Sequence, residues 1–308
     1  MNSDAKPVGV ASQVATSEYT RRFLGAPGSR RREAEAPVED TLGAYGSILG
    51  KVRAPFEEVR PIIRLLSCVF PAYNEAENIG PLLDEAVVAL APLASSYEIV
   101  VVDDGSTDET ASIVRRYAET HTQVRLVSHP QNLGYGHAVR TGLSSTRGDA
   151  VIFVDGDRQF RMSDAHLLIE AFEHADLVAG RRIKRADPWH RLMIARVYKI
   201  VLNTFFGLHI SDPDCAFKLF SREVIEGVVP KLESRAAFVS PELLIRSKLA
   251  GYRLVEVPVP HHPRTAGRPK GAPPKVILRT IGEIFRLRRS LQGSPSGERR
   301  GTSNVDTQ

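Results

Sequence analysis

The strongest constraint on this chain is a pattern that recurs three times in its front half: a continuous apolar run that stops at a polar or acidic cluster. Residues 65–70 stop at Pro71-Ala72-Tyr73-Asn74-Glu75, residues 97–102 at Asp103-Asp104-Gly105-Ser106, and residues 150–154 at Asp155-Gly156-Asp157. Segments with helical spacing lie between them, at 78–90, 108–118, 135–143 and 163–173, with shorter apolar strands at 124–127 and 177–180. Strands that are apolar without alternation are buried on both faces. The chain is therefore expected to be α/β, with a mixed, mainly parallel central sheet and helices on both faces. Ligands of such sheets gather beyond the carboxyl ends of the strands, where all three clusters fall.

The ends of the chain frame this unit. Residues 1–60 alternate charge clusters with Gly, Ala, Ser and Pro and read as an N-terminal extension, partly mobile or helical. Residues 61–289 form the expected main domain, closing with a basic amphipathic helix, and residues 290–308 read as a disordered tail. The two cysteines, Cys68 and Cys215, sit in apolar contexts and read as reduced core residues of a cytoplasmic protein. No secretory signal opens the chain, and no apolar run approaches the roughly 20 residues that a membrane-spanning helix needs. The net charge is +5, but residues 181–200 carry a local +6 and residues 264–289 a local +7, leaving −8 for the remainder. Two basic patches on an acidic body suit phosphate groups, lipid headgroups or nucleic acid.

Asp155 and Asp157 flank Gly156 on a turn that leaves the sheet. Two carboxylates at that spacing can point into one site, where their repulsion calls for a cation. Oxygen ligands with room for phosphate oxygens suit Mg2+ or Mn2+ rather than zinc, and Gln159 is a candidate neutral ligand. Of Asp103 and Asp104, one can accept hydrogen bonds from a base or ribose while the other orients the loop. Asp108 and Ser106 are simple capping residues, and Glu75 and Asn74 can cap the helix that follows them. The dinucleotide and P-loop glycine patterns are both missing after the first strand.

These motifs, together with Asn132-Leu133-Gly134-Tyr135-Gly136 and Asp155-Gly156-Asp157-Arg158-Gln159, resemble the successive motifs of family 2 glycosyltransferases with the GT-A fold. Further pieces, Gly180-Arg181-Arg182, Ile210-Ser211-Asp212-Pro213 and Glu242-Leu243-Leu244, are similar to the dolichyl- and polyprenyl-phosphate sugar synthases within that family. The resemblance implies a GT-A-like sheet and a nucleoside-diphosphate sugar, UDP- or GDP-linked, as donor. It implies that Pro71, Ala72, Tyr73 and Glu75 border the base, with Asp103 and Asp104 near the nucleoside. Asp155 and Asp157 would hold the metal on the diphosphate with Gln159 helping. Arg181 or Arg182 would contact a donor or acceptor phosphate, and Arg264, Arg268 and Lys270 would lie on a basic loop that closes over the phosphates. Single displacement, as the family implies, inverts the anomeric configuration.

A phosphate-monoester acceptor is largely dianionic near neutrality and needs cationic positioning more than a base. A hydroxyl acceptor needs a base, and Asp212, Asp214 and Glu242 form the pool for it. The acceptor is thus expected to be polyprenyl or dolichyl phosphate, with a soluble small molecule as the alternative. Amphipathic basic stretches at 181–206 and 274–289 suit peripheral contact with the cytoplasmic membrane face, and equally suit ordinary surface helices. A homo-oligomer is compatible with the sequence. A nucleotidyltransferase would carry a Gly-rich first loop where Pro71-Ala72-Tyr73-Asn74-Glu75 stands. Nucleic acid is not an expected partner, because no reading motif accompanies the arginines and acids at the strand ends would repel a phosphate backbone.

Overall fold

The computed structural model describes residues 63–183, 189–264 and 274–293. Residues 1–60, Arg268, Lys270 and the tail beyond 293 lie outside the described residues. Seven strands form one sheet among those described: β1 (Leu65–Ala72), β2 (Ser96–Asp103), β3 (Val124–Ser128), β4 (Ala150–Phe153), β5 (Leu177–Ile183), β6 (Lys218–Ser221) and β7 (Leu254–Pro260). Their order is β3-β2-β1-β4-β6-β5-β7. All neighbouring pairs are parallel except those of β6, which runs antiparallel to both β4 and β5.

The apolar runs are explained by two-sided burial. Successive strand residues face opposite sides of a sheet, and here both sides are covered. Leu66, Cys68 and Phe70 of β1, with Ile99 and Val101 of β2, pack under α1 (Ala76–Leu90), α2 (Thr110–Thr120) and α4 (Ala165–Phe172). Val69, Val100, Val102, Val151 and Phe153 face the other layer, built from α3 (Tyr135–Ser144), α5 (Trp189–Phe206), α6 (Arg222–Val228), α7 (Val239–Leu249) and α8 (Pro274–Gly293). Both cysteines are free and buried. The final helix runs through Gly293, so residues 290–293, expected to begin the tail, are helical.

The antiparallel strand matters for function. The start of an antiparallel strand lies beside the end of its neighbour, and the pairing Phe153↔Lys218 places the beginning of β6 at the exit of β4. The turn before β6, which carries Asp212 and Asp214, is thereby brought to the rim where Asp155 and Asp157 leave the sheet.

Candidate active site

A cavity of about 570 Å³ opens at this rim, at the switch point where β1 is followed by β2 on one side and flanked by β4 on the other. Its first wall is a clasp between two loops. Asn74, in the left-handed region at φ 53°, accepts the Thr107 amide through Oδ1 at 2.8 Å, while its own amide donates to Ser106 Oγ at 2.9 Å. Asp108 does not occupy the N-cap of α2, which is Glu109. Its carboxylate accepts the amides of Thr110 (3.0 Å) and Ala76 (3.2 Å), tying the starts of two helices together. Glu75 supplies no side-chain cap; its Oε2 accepts from the Asn78 amide group at 2.7 Å.

Of the two acids at the end of β2, one reaches the cavity and the other does not. Asp103 is buried and accepts the Ser106 amide at 3.2 Å, outside the cavity lining. Asp104 lines the cavity, but both its oxygens are engaged. Oδ1 accepts the Leu133 amide (2.9 Å) and lies 2.7 Å from His129 Nδ1, and Oδ2 accepts the Gly134 amide (2.9 Å). Asp104 therefore builds the 132–134 loop. Gly134 has φ 100°, and a Cβ on Gly136 would lie 2.4 Å from the Ser234 carbonyl. Glycine there lets the 234–235 backbone lie on the start of α3, where Gly136 N–H donates to the Arg235 carbonyl at 3.1 Å, and Arg235 reaches the cavity.

The acids after β4 are arranged otherwise. Asp155, Gly156 and Asp157 all line the cavity. Tyr135 donates its hydroxyl to Asp155 Oδ1 at 2.6 Å. Removal from water, then the neighbouring Asp157, push the Asp155 carboxyl up to about 6, while the Tyr135 bond pulls the other way. The tyrosine hydroxyl is in turn held well above its ordinary value by burial and by Asp155. Asp157 Oδ2 pairs with the Arg264 guanidinium at 2.8 Å, and the same guanidinium lies 3.9 Å from Glu75. Gln159 turns to the segment after β7: its amide group donates to the His262 carbonyl at 3.2 Å, and it does not line the cavity.

Of the three base candidates, Asp214 alone lines the cavity. Asp212 is buried and held by Arg182 through two 2.7 Å bonds, Nε to Oδ2 and Nη2 to Oδ1. This pair also occupies Arg182, which was expected to meet phosphate; Arg181 is exposed at the end of β5, off the cavity. Glu242 is fully buried and accepts the amides of Glu233 and Ser234 and the Arg246 guanidinium at 2.7 Å, anchoring the 233–235 segment.

Several residues of the site carry no individual sequence signal. Lys218, fully buried in β6, donates from Nζ to the Cys215 carbonyl, to the Pro213 carbonyl at 3.3 Å and to Ser240 Oγ at 2.6 Å. Burial lowers its pKa. It locks the turn that presents Asp214, and Ser240 itself lines the cavity. Arg279 of α8 also reaches the lining; it looked like one more cation on an amphipathic surface. Tyr135 lay within a recognised motif but had no assigned role.

The chemistry of the donor set fits a divalent cation whose coordination a diphosphate completes. Asp155 and Asp157 are crowded carboxylates that a cation would relieve, and magnesium-type sites use one or two carboxylates plus substrate oxygens. Among the described residues there is no group of three or more His, Cys, Asp or Glu that could hold a metal.

An α/β sheet with acids and arginines converging at its switch point suits an anionic ligand such as a nucleotide. The comparisons agree: the description "Glycosyl transferase family 2" matches residues 67–229, and the chain belongs to that family. It is a glycosyltransferase that uses a nucleoside-diphosphate sugar. A dolichyl-phosphate beta-glucosyltransferase of Trichomonas vaginalis is 34% identical over 227 residues, covering 68% of this chain and 67% of the relative. An undecaprenyl-phosphate 4-deoxy-4-formamido-L-arabinose transferase of Edwardsiella ictaluri is 31% identical, covering 70% and 65%. The solved glucosyl-3-phosphoglycerate synthase of Mycobacterium tuberculosis, in complex with Mn2+, UDP-glucose and phosphoglyceric acid, superposes with a TM-score of 0.58 at 22% identity, covering 73% of this chain and 80% of the other. That likeness shows the GT-A fold.

Proposed function

We propose that the chain transfers a glycosyl group, with inversion, from a nucleoside-diphosphate sugar to an acceptor that bears a phosphate. The observation that carries this reading is the meeting of Asp155, Asp157 and Asp214 with Arg235, Arg264 and Arg279 around one cavity. Tyr73 and Glu75 on the near wall border the base. Arg264, Arg235 and Arg279 face the departing diphosphate and offset the charge that builds on it. Asp155 and Asp157 would hold Mg2+ or Mn2+, which supplies Lewis-acid stabilisation to that leaving group.

For the acceptor we favour a soluble phosphorylated molecule attacking through a hydroxyl. Asp214 takes the hydroxyl proton, the acceptor oxygen bonds to the anomeric carbon, and the bond to the diphosphate breaks with its electron pair leaving on the nucleoside diphosphate. The phosphoglyceric acid named with the solved synthase is an acceptor-like molecule of that chemistry. A polyprenyl or dolichyl phosphate is the second reading, favoured by the named sequence relatives and by one surface. Met193, Val197 and Ile200 of α5 and Leu278, Ile281 and Phe285 of α8 are exposed, and the two helices meet where Phe205 packs edge-on against Phe285. Arg288 lies over the Phe205 ring. Apolar side chains among cations suit a membrane surface. Among the described residues, no helix is long and apolar enough to cross a membrane.

A panel of UDP-, GDP- and dTDP-sugars with Mg2+ or Mn2+, scored by nucleoside-diphosphate release, tests the donor. Soluble phosphomonoesters and polyprenyl phosphate, supplied in parallel, separate the acceptors. Failure of every donor to protect the protein or release nucleoside diphosphate would sink the reading.

A further inference from the structure

A second cavity, of about 540 Å³, lies beside the first and shares one residue with it, Arg235. Its walls are His137 and Arg140 of α3, one turn apart, Leu232 and Glu233 before α7, and Arg286 of α8. Three guanidinium groups and an imidazole thus converge on one space with a single carboxylate. That carboxylate is already engaged: Glu233 Oε1 pairs with Arg246 at 2.8 Å and accepts from Ser290 Oγ at 2.6 Å. Arg140 donates to the Leu232 carbonyl at 3.1 Å, and no carboxylate of the described residues pairs with Arg140, Arg235 or Arg286. Cations outnumber anions in the groove, although Glu283, at its edge, accepts the Arg235 amide at 3.3 Å. Burial, then Arg235, Arg140 and His129, hold the His137 pKa below its ordinary value, against the opposing pull of Asp104.

We propose that this groove is a second anion site, for a phosphate monoester, distinct from the donor cavity and coupled to it through Arg235. A phosphate dianion matches the groove because guanidinium groups bind its oxygens in pairs, and three of them offset its charge. Coupling follows from geometry: Arg235 borders both spaces, and its backbone is fixed on the start of α3 by Gly136. A phosphate in the groove draws that guanidinium away from the donor cavity, so groove occupancy lowers affinity for the nucleotide. The phosphate can arrive on a soluble molecule or on a lipid headgroup. The site stands apart from the transfer reaction and does not depend on which acceptor is used.

Binding is measured on the full chain by calorimetry, with UDP present to fill the donor cavity. The probes are inorganic phosphate, glycerol phosphate, and phosphatidylcholine vesicles with and without phosphatidic acid. Proton NMR of the His137 ring reports the location. Phosphate is expected to raise the His137 titration midpoint and to bind about tenfold more weakly in R140A and in R286A, with binding lost in the double variant. R286K retains the charge and recovers part of the affinity, whereas R115A on α2 binds like the parent. Omitting phosphate raises UDP affinity in the parent and leaves it unchanged in the double variant. Binding of the soluble probes alone assigns a soluble phosphomonoester, and binding of phosphatidic-acid vesicles alone assigns a headgroup; loss in the double variant upholds the site in either case. No binding in any arm, or equal binding in parent and double variant, overturns it, whatever the outcome of the donor panel.

Discussion

The acids at the end of β2 and those at the end of β4 look alike in sequence and do opposite jobs. Asp103 accepts one loop amide, that of Ser106, and both oxygens of Asp104 are engaged by the Leu133 and Gly134 amides and His129, so these acids shape loops. Asp155 and Asp157 face each other across Gly156, with a phenol and a guanidinium as their partners. Asp104, held mainly by main-chain amides, is tied to the loop it shapes, whereas the side chains that hold Asp155 and Asp157 can be exchanged for a ligand.

The contrast is broken most severely at β4. Replacing Asp155 or Asp157 with Asn is expected to cut sugar transfer by about 10²–10³-fold, with circular dichroism and thermal midpoint nearly unchanged; nucleoside-diphosphate release is the measurement. Asp214→Asn comes next. With a hydroxyl acceptor it should lose about 10²-fold in kcat. With a phosphate-monoester acceptor, already deprotonated, the loss should be small, so the same variant sharpens the choice of acceptor.

Asp104→Ala should reverse the pattern, costing about 2–3 kcal/mol of stability through orphaned loop amides, read as a lower urea midpoint. The smallest effect belongs to another acid with both oxygens engaged, Glu98, near the opposite end of β2. Burial there acts to raise its pKa, but bonds from Ser67 (2.7 Å), the Arg147 amide (2.6 Å) and Arg125 (3.3 Å) win and lower it from 4.5. Its folded pKa lies below the unfolded one, so its stabilisation is complete above the ordinary carboxylate range and fades as pH falls through the lowered folded value. Glu98→Gln should flatten the acid limb of the midpoint-versus-pH curve below about 4.5.

The front of the molecule was legible because its physics is local. β1, β2 and β4 are runs buried on both faces, and each stops within a residue or two of the expected place. The back was not. β6 is four residues long and buries a lysine, which no apolar pattern announces. Asp212 and Arg182 stand 30 residues apart, and each alone looks like a free functional charge; only folding shows that they cancel. Arg279 reaches the cavity because Ile284 and Leu287 dock α8 onto the helical layer, and Arg235 because Gly136 and Glu242 hold the 233–235 segment, contacts invisible in spacing. Among the acids, sequence marked Asp155, Asp157 and Asp214, and could not tell them from Glu242, whose partners lie in the 233–235 segment.

One contact bears on how the catalytic cycle begins. Arg264, carried on the stretch after β7, rests on Asp157 and near Glu75, which makes the resting protein its own counter-ion. On the proposed reading, a cation-bound nucleotide at Asp157 would compete with that guanidinium, and the diphosphate would offer Arg264 a second anion. Capture of the substrate would then be a swap of positive charges rather than an addition.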